Sequence, residues 1–248
     1  MSYRSLRSLA RPALILVPAL AGLTPLAHGV EGPDGRFLDL RASITSSPAP
    51  EISERITGPA TPAASYDWKD VDEQGFQVTA GLALGSKARW WGGTVLQADL
   101  VFASYDITPG SLRRSDGVSF SPAASGLKYR TLGGQLAYGY HWASTTERDQ
   151  LAAHFEFSPF IGAGMASAET SGQNSLGNAE TYEDTSMYYE YGVRTGFYLT
   201  ERGFLFGLTA FYAAGGDDLT IDLGGGASSE LTLDREGFGA GLQAGWRF

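Results

Sequence analysis

The chain has 248 residues, no cysteine and a formal net charge of −9, with 18 lysines and arginines against 27 aspartates and glutamates. So acidic a chain is a poor candidate for nucleic-acid binding, because phosphate contacts need clustered lysine and arginine. Without cysteine, disulfides and thiolate metal sites are excluded, and non-covalent contacts alone must stabilise the fold.

The first 29 residues have the pattern of a secretory signal peptide. Arg4, Arg7 and Arg11 precede the apolar run PALILVPALAGLTPLA, and small residues then occupy the positions of a cleavage site. The alternative, an uncleaved membrane anchor, is less favoured because the apolar run is short and proline-rich for a spanning helix. We expect a mature domain of residues 30–248, whose net charge falls to −12 when the three arginines are removed.

The mature chain alternates apolar and polar residues almost throughout, which predicts β-strands. One segment, APEISERI in the first long connection, is compatible with a helix. No stretch approaches 18 consecutive apolar residues, so we expect no transmembrane helix. We predict eight strands, at about residues 36–46, 74–86, 90–107, 127–143, 151–168, 186–200, 203–216 and 230–248.

The connections between these strands alternate between long and short. The first, third, fifth and seventh are long and rich in Gly, Ser, Pro and acidic residues, which is typical of irregular surface loops. The second (GSKAR), fourth (ASTTERD) and sixth (TERG) are short. This alternation favours an all-β fold, a closed eight-stranded antiparallel transmembrane up-and-down β-barrel.

The two faces of each predicted strand differ in chemistry. Apolar residues share one face of the seventh strand, whereas the opposite faces of the fifth and sixth strands mix charged residues with glycine. Such a mixture suits the interior of a narrow barrel better than a hydrophobic core. An arginine on the lipid side would cost about 2–4 kcal/mol at mid-membrane, and the one arginine placed outward, Arg130, lies at a strand end.

Aromatic residues concentrate toward both strand ends, as in the two girdles of a membrane barrel. The short-turn end carries Trp90, Trp91, Trp142, Phe204, Trp246 and Phe248. The long-connection end carries Tyr105, Tyr129, Tyr188, Tyr189 and Tyr212. Closure into a barrel would also pair both sheet edges, whose free backbone groups each cost several kcal/mol in lipid.

The chain ends GLQAGWRF, with apolar residues at alternate positions. This ending resembles the C-terminal assembly signal of Gram-negative outer-membrane proteins. Over residues 36–248 the chain resembles the small eight-stranded outer-membrane barrels of the OmpA, OmpX and opacity-protein type, in pattern rather than in a sequence-specific motif. The resemblance implies an outer-membrane location, contact with its lipids and lipopolysaccharide, and recognition by the barrel-assembly machinery of Leu242, Ala244, Trp246 and Phe248.

The inward faces of the predicted strands collect polar side chains of both charge signs. A buried charge without a partner is heavily penalised, so we expect a salt-bridged plug, with a winding path for small solutes as the alternative. The predicted set is Asp39, Arg41, Gln77, Gln97, Asp99, Gln135, His141, His154, Glu156, Glu190, Arg194, Gln243 and Arg247.

Catalysis is a further hypothesis, because His154, Glu156 and Ser158 share one strand face and His141 is expected nearly opposite His154. These are the ingredients of acyl transfer, and the wider class of barrels includes lipid A acyltransferases and deacylases. Residues on one face need not touch, however, and the local deacylase motifs are absent. Two facing histidines suit a metal, but hydrogen bonding is their commoner role. We therefore assign no catalytic residue, metal or cofactor.

The long connections carry an acidic excess without the spacing of a calcium loop. The simplest role for these acidic residues is to keep the connections solvated beside an anionic leaflet. A more specific role is divalent-ion bridging to lipopolysaccharide, or contact with an extracellular partner. We expect a structural, membrane-integrity or surface-interaction role, with a narrow channel as the alternative and a lipid-modifying enzyme third. The acidic residues are Glu51, Glu54, Asp67, Asp70, Asp72, Glu73, Glu169, Glu180, Glu183, Asp184, Asp217, Asp218 and Asp222.

Overall fold

The computed structural model describes residues 36–47, 50–59, 61–69, 71–86, 92–114, 117, 119–120, 126–144, 151–173, 179–224 and 226–248. The predicted signal peptide, Trp90 and Trp91 lie outside these residues. Within them, no helix is long and apolar enough to cross a bilayer.

Regular structure in the described residues consists of β-strands. In chain order they are β1 (Arg36–Ser46), β2 (Glu51–Gly58), β3 (Thr61–Lys69), β4 (Asp72–Ser86), β5 (Gly93–Thr108), β6 (Ser111–Arg114), β7 (Ser119–Phe120), β8 (Leu127–Ala143), β9 (Ala152–Gln173), β10 (Ala179–Glu201), β11 (Phe204–Gly224) and β12 (Ala227–Arg247).

Eight of these strands form a closed antiparallel ring in the order β1-β4-β5-β8-β9-β10-β11-β12, and β12 pairs again with β1. The closing pair runs in register from Asp39 opposite Arg247 to Ser46 opposite Ala240. Closure leaves neither edge of the ring unpaired, which satisfies the backbone groups that a flat sheet would expose. The prediction of a closed eight-stranded antiparallel barrel is therefore confirmed, including its first strand, β1.

The short connection between β10 and β11 is a two-residue hairpin turn. Arg202 has a φ of 51° and Gly203 a φ of 89°, while Glu201 and Phe204 pair on either side. Positive φ at both central positions gives the turn the twist that suits two antiparallel strands, and glycine adopts it without steric cost.

The outer surface of the barrel changes its chemistry along each long strand. In β11, Phe206 and Leu208 point outward and are 51% and 59% exposed, whereas farther along the exposed residues are Asp218 and Thr220. The inward-facing residues of β11 change from polar to apolar over the same distance: Thr209 is buried beside the belt, and Leu219 is buried beyond it. An apolar belt around a polar interior suits lipid, and a polar surface around an apolar interior suits water. The belt therefore covers the short-turn part of the barrel, and the strands continue beyond it.

The APEISERI segment, which the sequence pattern left compatible with a helix, is instead a strand from Glu51 onward. Glu51–Gly58 forms β2, which pairs antiparallel with β12 from Asp234 to Ser228. Ile52 points inward from this strand and is 2% exposed. Pairing with the free edge of β12 and burial of Ile52 outweigh the weak helical pattern of the segment.

The long connections are also more regular than predicted. Strands β9 to β12 run well past the belt, and β2, β3, β6 and β7 extend the same sheet from the edge of β12. The prediction of irregular loops is wrong for these parts, because polar residues such as Ser53, Glu183 and Asp218 lie on the solvent-facing side of strands. Continued pairing also protects edges that would otherwise stand open.

Candidate functional site

A charged layer fills the barrel inside the belt, with Arg41 at its centre. The Arg41 guanidinium is 2% exposed and donates to Asp39 Oδ2 from Nη2 at 2.6 Å. It also donates to Glu156 on the far side of the barrel, from Nη1 to Oε2 at 2.5 Å and from Nη2 to Oε1 at 2.8 Å. The Tyr198 hydroxyl donates to Glu156 Oε1 at 2.5 Å. Bidentate contacts of this kind fix both position and orientation of the two charged groups.

Arg247 joins the same layer at the seam of the barrel. Its Nε and Nη2 donate to the two carboxylate oxygens of Asp39 at 2.8 and 2.9 Å. The guanidinium carbon lies 3.9 Å from the ring centroid of Phe37, a cation–π contact. One carboxylate, Asp39, therefore serves two guanidinium groups.

A second ion pair crosses the interior between β5 and β10. Arg194 Nη1 donates to Asp99 Oδ2 at 2.8 Å, and Gln97 Nε2 donates to the same carboxylate at 2.8 and 3.0 Å. Farther from the short turns, Gln135 Nε2 donates to Glu190 Oε1 at 2.5 Å. Arg235 lies 3.7 Å from the other oxygen of Glu190. The interior thus holds paired charges at successive heights.

The two predicted histidines form a hydrogen-bonded chain with a threonine. His141 Nε2 lies 2.8 Å from His154 Nδ1, and His154 Nε2 lies 2.7 Å from Thr200 Oγ1. The His154 ring stacks on Tyr198, with centroids 4.7 Å apart. In the strand pairing, His141 lies opposite Glu156 rather than opposite His154, so the histidines meet diagonally.

This arrangement does not assemble the His154–Glu156–Ser158 set considered from the sequence. Both ring nitrogens of His154 are engaged by His141 and Thr200, and the Glu156 carboxylate is engaged by Arg41 and Tyr198. A general base needs a free nitrogen within hydrogen-bond reach of the nucleophile. Among the described residues, no group of three or more His, Cys, Asp or Glu side chains is placed to hold a metal ion.

Every member of the predicted inward-facing set lies inside the barrel, either buried or, for Arg194 and Arg247, largely so. One cavity at this level, beside Glu156, Ser158 and Gln243, has a volume of about 10 Å³. Two of the buried donor atoms that line it, Arg194 Nη2 and Gln243 Nε2, have no hydrogen-bond partner among the described residues. A cavity of this volume with unpaired donors suits a single water molecule.

Beyond the charged layer, the interior changes to a hydrophobic cluster that the sequence reasoning missed. Leu219, Leu231, Leu233, Ile52 and Trp68 are among its members, and each is at most 7% exposed. Ile52, Trp68 and Leu219 fell in predicted loops, whereas Leu231 and Leu233 lay at the start of the predicted strand 230–248. The cluster lies in the barrel interior at the long-connection end.

Three tyrosines assigned from the sequence to an outer girdle lie in this cluster instead. Tyr105, Tyr129 and Tyr188 point inward and are 0–1% exposed, so their girdle assignment is wrong. Tyr189, 62% exposed, and Tyr212 do lie on the outer face. The reason is register, because Tyr188 and Tyr189 are neighbours and therefore occupy opposite faces of one strand.

The junction between the charged layer and the hydrophobic cluster is polar. Tyr129 donates its hydroxyl hydrogen to Asp217 Oδ1 at 2.6 Å, and Ser186 donates to Oδ2 at 2.9 Å. Burial raises the pKa of the Asp217 carboxyl above its ordinary value. Arg235 stacks over the Tyr188 ring at 4.6 Å. Tyr129 thus connects the two regions, with its ring in the cluster and its hydroxyl on a carboxylate.

A closed antiparallel barrel with an apolar outer belt and a charged interior is the architecture of the small outer-membrane β-barrel proteins. No known family model matches the chain, and no curated protein does.

Several solved outer-membrane structures are similar to the chain. The outer membrane protein OprG from Pseudomonas aeruginosa is 14% identical, with 86% of this chain and 96% of that chain covered and a TM-score of 0.42. The outer membrane protease OmpT from Escherichia coli is 12% identical, with coverage of 87% and 97% and a TM-score of 0.38. Ail, the attachment invasion locus protein of Yersinia pestis, is 15% identical, with coverage of 84% and 99% and a TM-score of 0.29.

Proposed function

We propose that the protein is a non-conducting barrel of the bacterial outer membrane that holds a rigid β-sheet platform on the cell surface. Both termini then lie on the periplasmic side, and the long-connection end lies outside the cell. The observation that carries the proposal is the double closure of the interior, by the charged layer around Arg41 and by the hydrophobic cluster around Leu233. Its role is structural or one of surface contact, without turnover.

The charged layer opposes solute passage because its charged groups are already paired with one another. A permeating ion would have to separate Arg41 from Glu156 or Arg194 from Asp99. Leaving one member of a buried ion pair without its partner costs about 3–5 kcal/mol. The hydrophobic cluster opposes passage differently, because hydrated solutes find no polar partners there. Both barriers lie in series along the same axis.

The surface role is supported by the continuation of the sheet outside the belt. Strands β9–β12 and β2 form an ordered platform whose exposed side chains include Glu183, Asp218 and Glu230. A rigid surface loses little conformational entropy when it binds, which favours contact with an extracellular partner or with lipopolysaccharide through bridging cations. The acidic character of the platform also keeps it solvated.

Reconstitution into liposomes tests the closure directly. We expect no swelling with small sugars or amino acids, and no steady conductance across a planar bilayer. A variant that removes both barriers, Arg41→Ala with Tyr105→Ala and Tyr129→Ala, serves as the positive control for permeation. Each protein must first show the mobility difference between unheated and boiled samples that marks a folded barrel. Permeation by the unmodified protein would instead support the narrow channel.

We propose further that the C-terminal strand is read by the barrel-assembly machinery, as the sequence resemblance implies. Leu242 is 46% exposed on the outer face, and the backbone nitrogen of Phe248 donates to the Leu38 carbonyl at 2.8 Å. The last residue is therefore held at the seam that closes the barrel. Recognition before closure and lipid contact afterwards are compatible roles for the same residues.

A further inference from the structure

A groove of about 520 Å³ crosses the outer face of β10, β11 and β12 at the upper edge of the apolar belt. Its floor is the small-residue segment of β11 around Ala214. One wall is aromatic and comes from β10, where Tyr191 lies directly opposite Ala214. The other wall is acidic and comes from β12, where Glu236 lies opposite Ala214 on the other side.

The groove exists because small residues separate two rows of larger ones. Gly216, two residues after Ala214, likewise lies between a tyrosine and a carboxylate, Tyr189 on one side and Asp234 on the other. Tyr212 closes the lower end, and its hydroxyl donates to Glu236. Both flanking tyrosines remain accessible, since Tyr189 is 62% and Tyr191 57% exposed.

Negative charge accumulates along the acidic wall. Glu51 of β2 lies directly opposite Asp234, on the same outer face, and Glu236 follows two residues along β12. Like charges placed opposite each other destabilise a sheet unless a cation neutralises them. Among the described residues that line the groove the one cationic side chain is Arg235, which is buried and stacks inward on Tyr188. The described outward side chains that line the groove therefore include no cation to neutralise these carboxylates.

Aromatic faces beside carboxylates form a recognition site for an ammonium group. A cation over a tyrosine ring is attracted by the negative face of the ring, and carboxylates add the complementary charge. Directly below the groove the outer face returns to exposed apolar residues, among them Phe238, which is 81% exposed. A ligand with a cationic head and a hydrocarbon tail would match both surfaces at once.

We infer that this groove binds the positively charged ammonium head of a membrane amphiphile, whose tail lies on the apolar belt below. The inference depends on the proposed placement in a membrane, but it is independent of whether the interior conducts. The inference gives a ligand class to this groove, which lies on the accessible outer face of the barrel.

Calorimetric titration of the full chain in dodecyl maltoside micelles tests the inference. The probe is dodecyltrimethylammonium, added at a low mole fraction of the micelle, and the comparison probes are dodecyl phosphate and tetramethylammonium. We expect saturable binding of one dodecyltrimethylammonium per barrel, with shifts of the Tyr189 and Tyr191 signals in ¹³C-tyrosine-labelled protein. Dodecyl phosphate should not bind, and tetramethylammonium should bind at least about tenfold more weakly because it lacks the tail.

Two groove variants and two matched controls separate this site from general attraction to an acidic protein. Tyr191→Leu and Glu236→Gln should each weaken binding about tenfold. The controls are Tyr138→Leu, an exposed tyrosine on β8, and Glu230→Gln, an exposed carboxylate on the same face of β12. Both should leave binding unchanged.

Three results would overturn the inference. Equal weakening by Glu230→Gln and Glu236→Gln would show diffuse charge attraction. Equal affinity for tetramethylammonium would show that the tail has no place on the belt. Binding of a cationic peptide, but not of the amphiphile, would assign the groove to a protein partner. Heat-modifiable gel mobility of every variant verifies the fold, so a negative titration counts against the groove and not against the barrel.

Discussion

Asp39 and Arg247 lie directly opposite each other where the first and last barrel strands meet, and both carboxylate oxygens of Asp39 accept hydrogen bonds from the Arg247 guanidinium. The same carboxylate accepts two further bonds from Arg41, at 2.6 and 3.2 Å. Closure of the barrel is thus coupled to the charged layer inside it. Residues separated by most of the chain become one electrostatic unit only when the seam forms.

Substitution of Asp39 therefore tests the charged layer. Asp39→Asn should destabilise the barrel by about 3–5 kcal/mol, because two buried guanidinium groups lose their shared counter-charge. Urea unfolding in lipid vesicles, followed by tryptophan fluorescence, measures the effect. The control is Glu169→Gln, which removes the exposed pair with Lys128 at 3.4 Å and should cost about 1 kcal/mol or less. Similar losses for the two variants would contradict the coupling.

The change of polarity along β11 predicts where an arginine is tolerated on the outer face. Leu208→Arg should cost about 2–4 kcal/mol in vesicles, because Leu208 lies within the apolar belt. Thr220→Arg should cost about 0–1 kcal/mol, because that outward position lies beyond the belt. Unfolding free energies in vesicles provide the comparison. If Thr220→Arg proved as costly as Leu208→Arg, the upper boundary of the belt would be misplaced.

The histidine chain is predicted to contribute to stability rather than to lipid chemistry. His154→Ala leaves His141 and Thr200 without their shared partner, which should cost about 1–3 kcal/mol. Lipid A composition of cells carrying the variant, measured by mass spectrometry, should match that of cells with the unmodified protein. A reproducible difference in acylation that also follows Ser158→Ala would revive the enzyme hypothesis.

The proposed assembly role of the last strand predicts an effect on yield rather than on stability. Phe248→Ala should reduce the amount of folded barrel in the outer membrane severalfold. Its thermal stability after refolding in detergent should change little, because Phe248 lies at the rim. Phe204→Ala is the matched control, since Phe204 is another outward aromatic at the same end, 52% exposed. Equal loss of folded protein in both variants would indicate a general need for lipid-facing aromatics.

The alternation of the sequence was sufficient to predict the ring itself. Strand β8 was predicted with the bounds that the structure shows, and β1 likewise. The sequence also predicted which side of these strands faces outward, because the face that carries charged residues would be costly in contact with lipid. His141 and His154 were expected to meet, and they do so through a diagonal contact.

Other features could not be read from the local sequence. The strand β2 depends on the edge of β12, which lies nearly 180 residues away along the chain. Arg41 finds Glu156 at a separation of 115 residues, and no local pattern specifies that choice among the available carboxylates. The inward direction of Tyr105 and Tyr129 follows from alternation, because they share strand faces with Asp99 and Gln135, but the hydrophobic cluster that they join is formed by distant strands.

The sequence alone predicted a period-two chain that closes into a barrel, because the two-faced pattern of each strand is a local property and an unpaired sheet edge is costly in lipid. The tertiary structure decided which charges pair, which connections become strands, and where the apolar face passes from the outside to the inside. That last change follows the medium around each level of the barrel, and the alternation within one strand does not show how far it extends around the barrel until the neighbouring strands are in register.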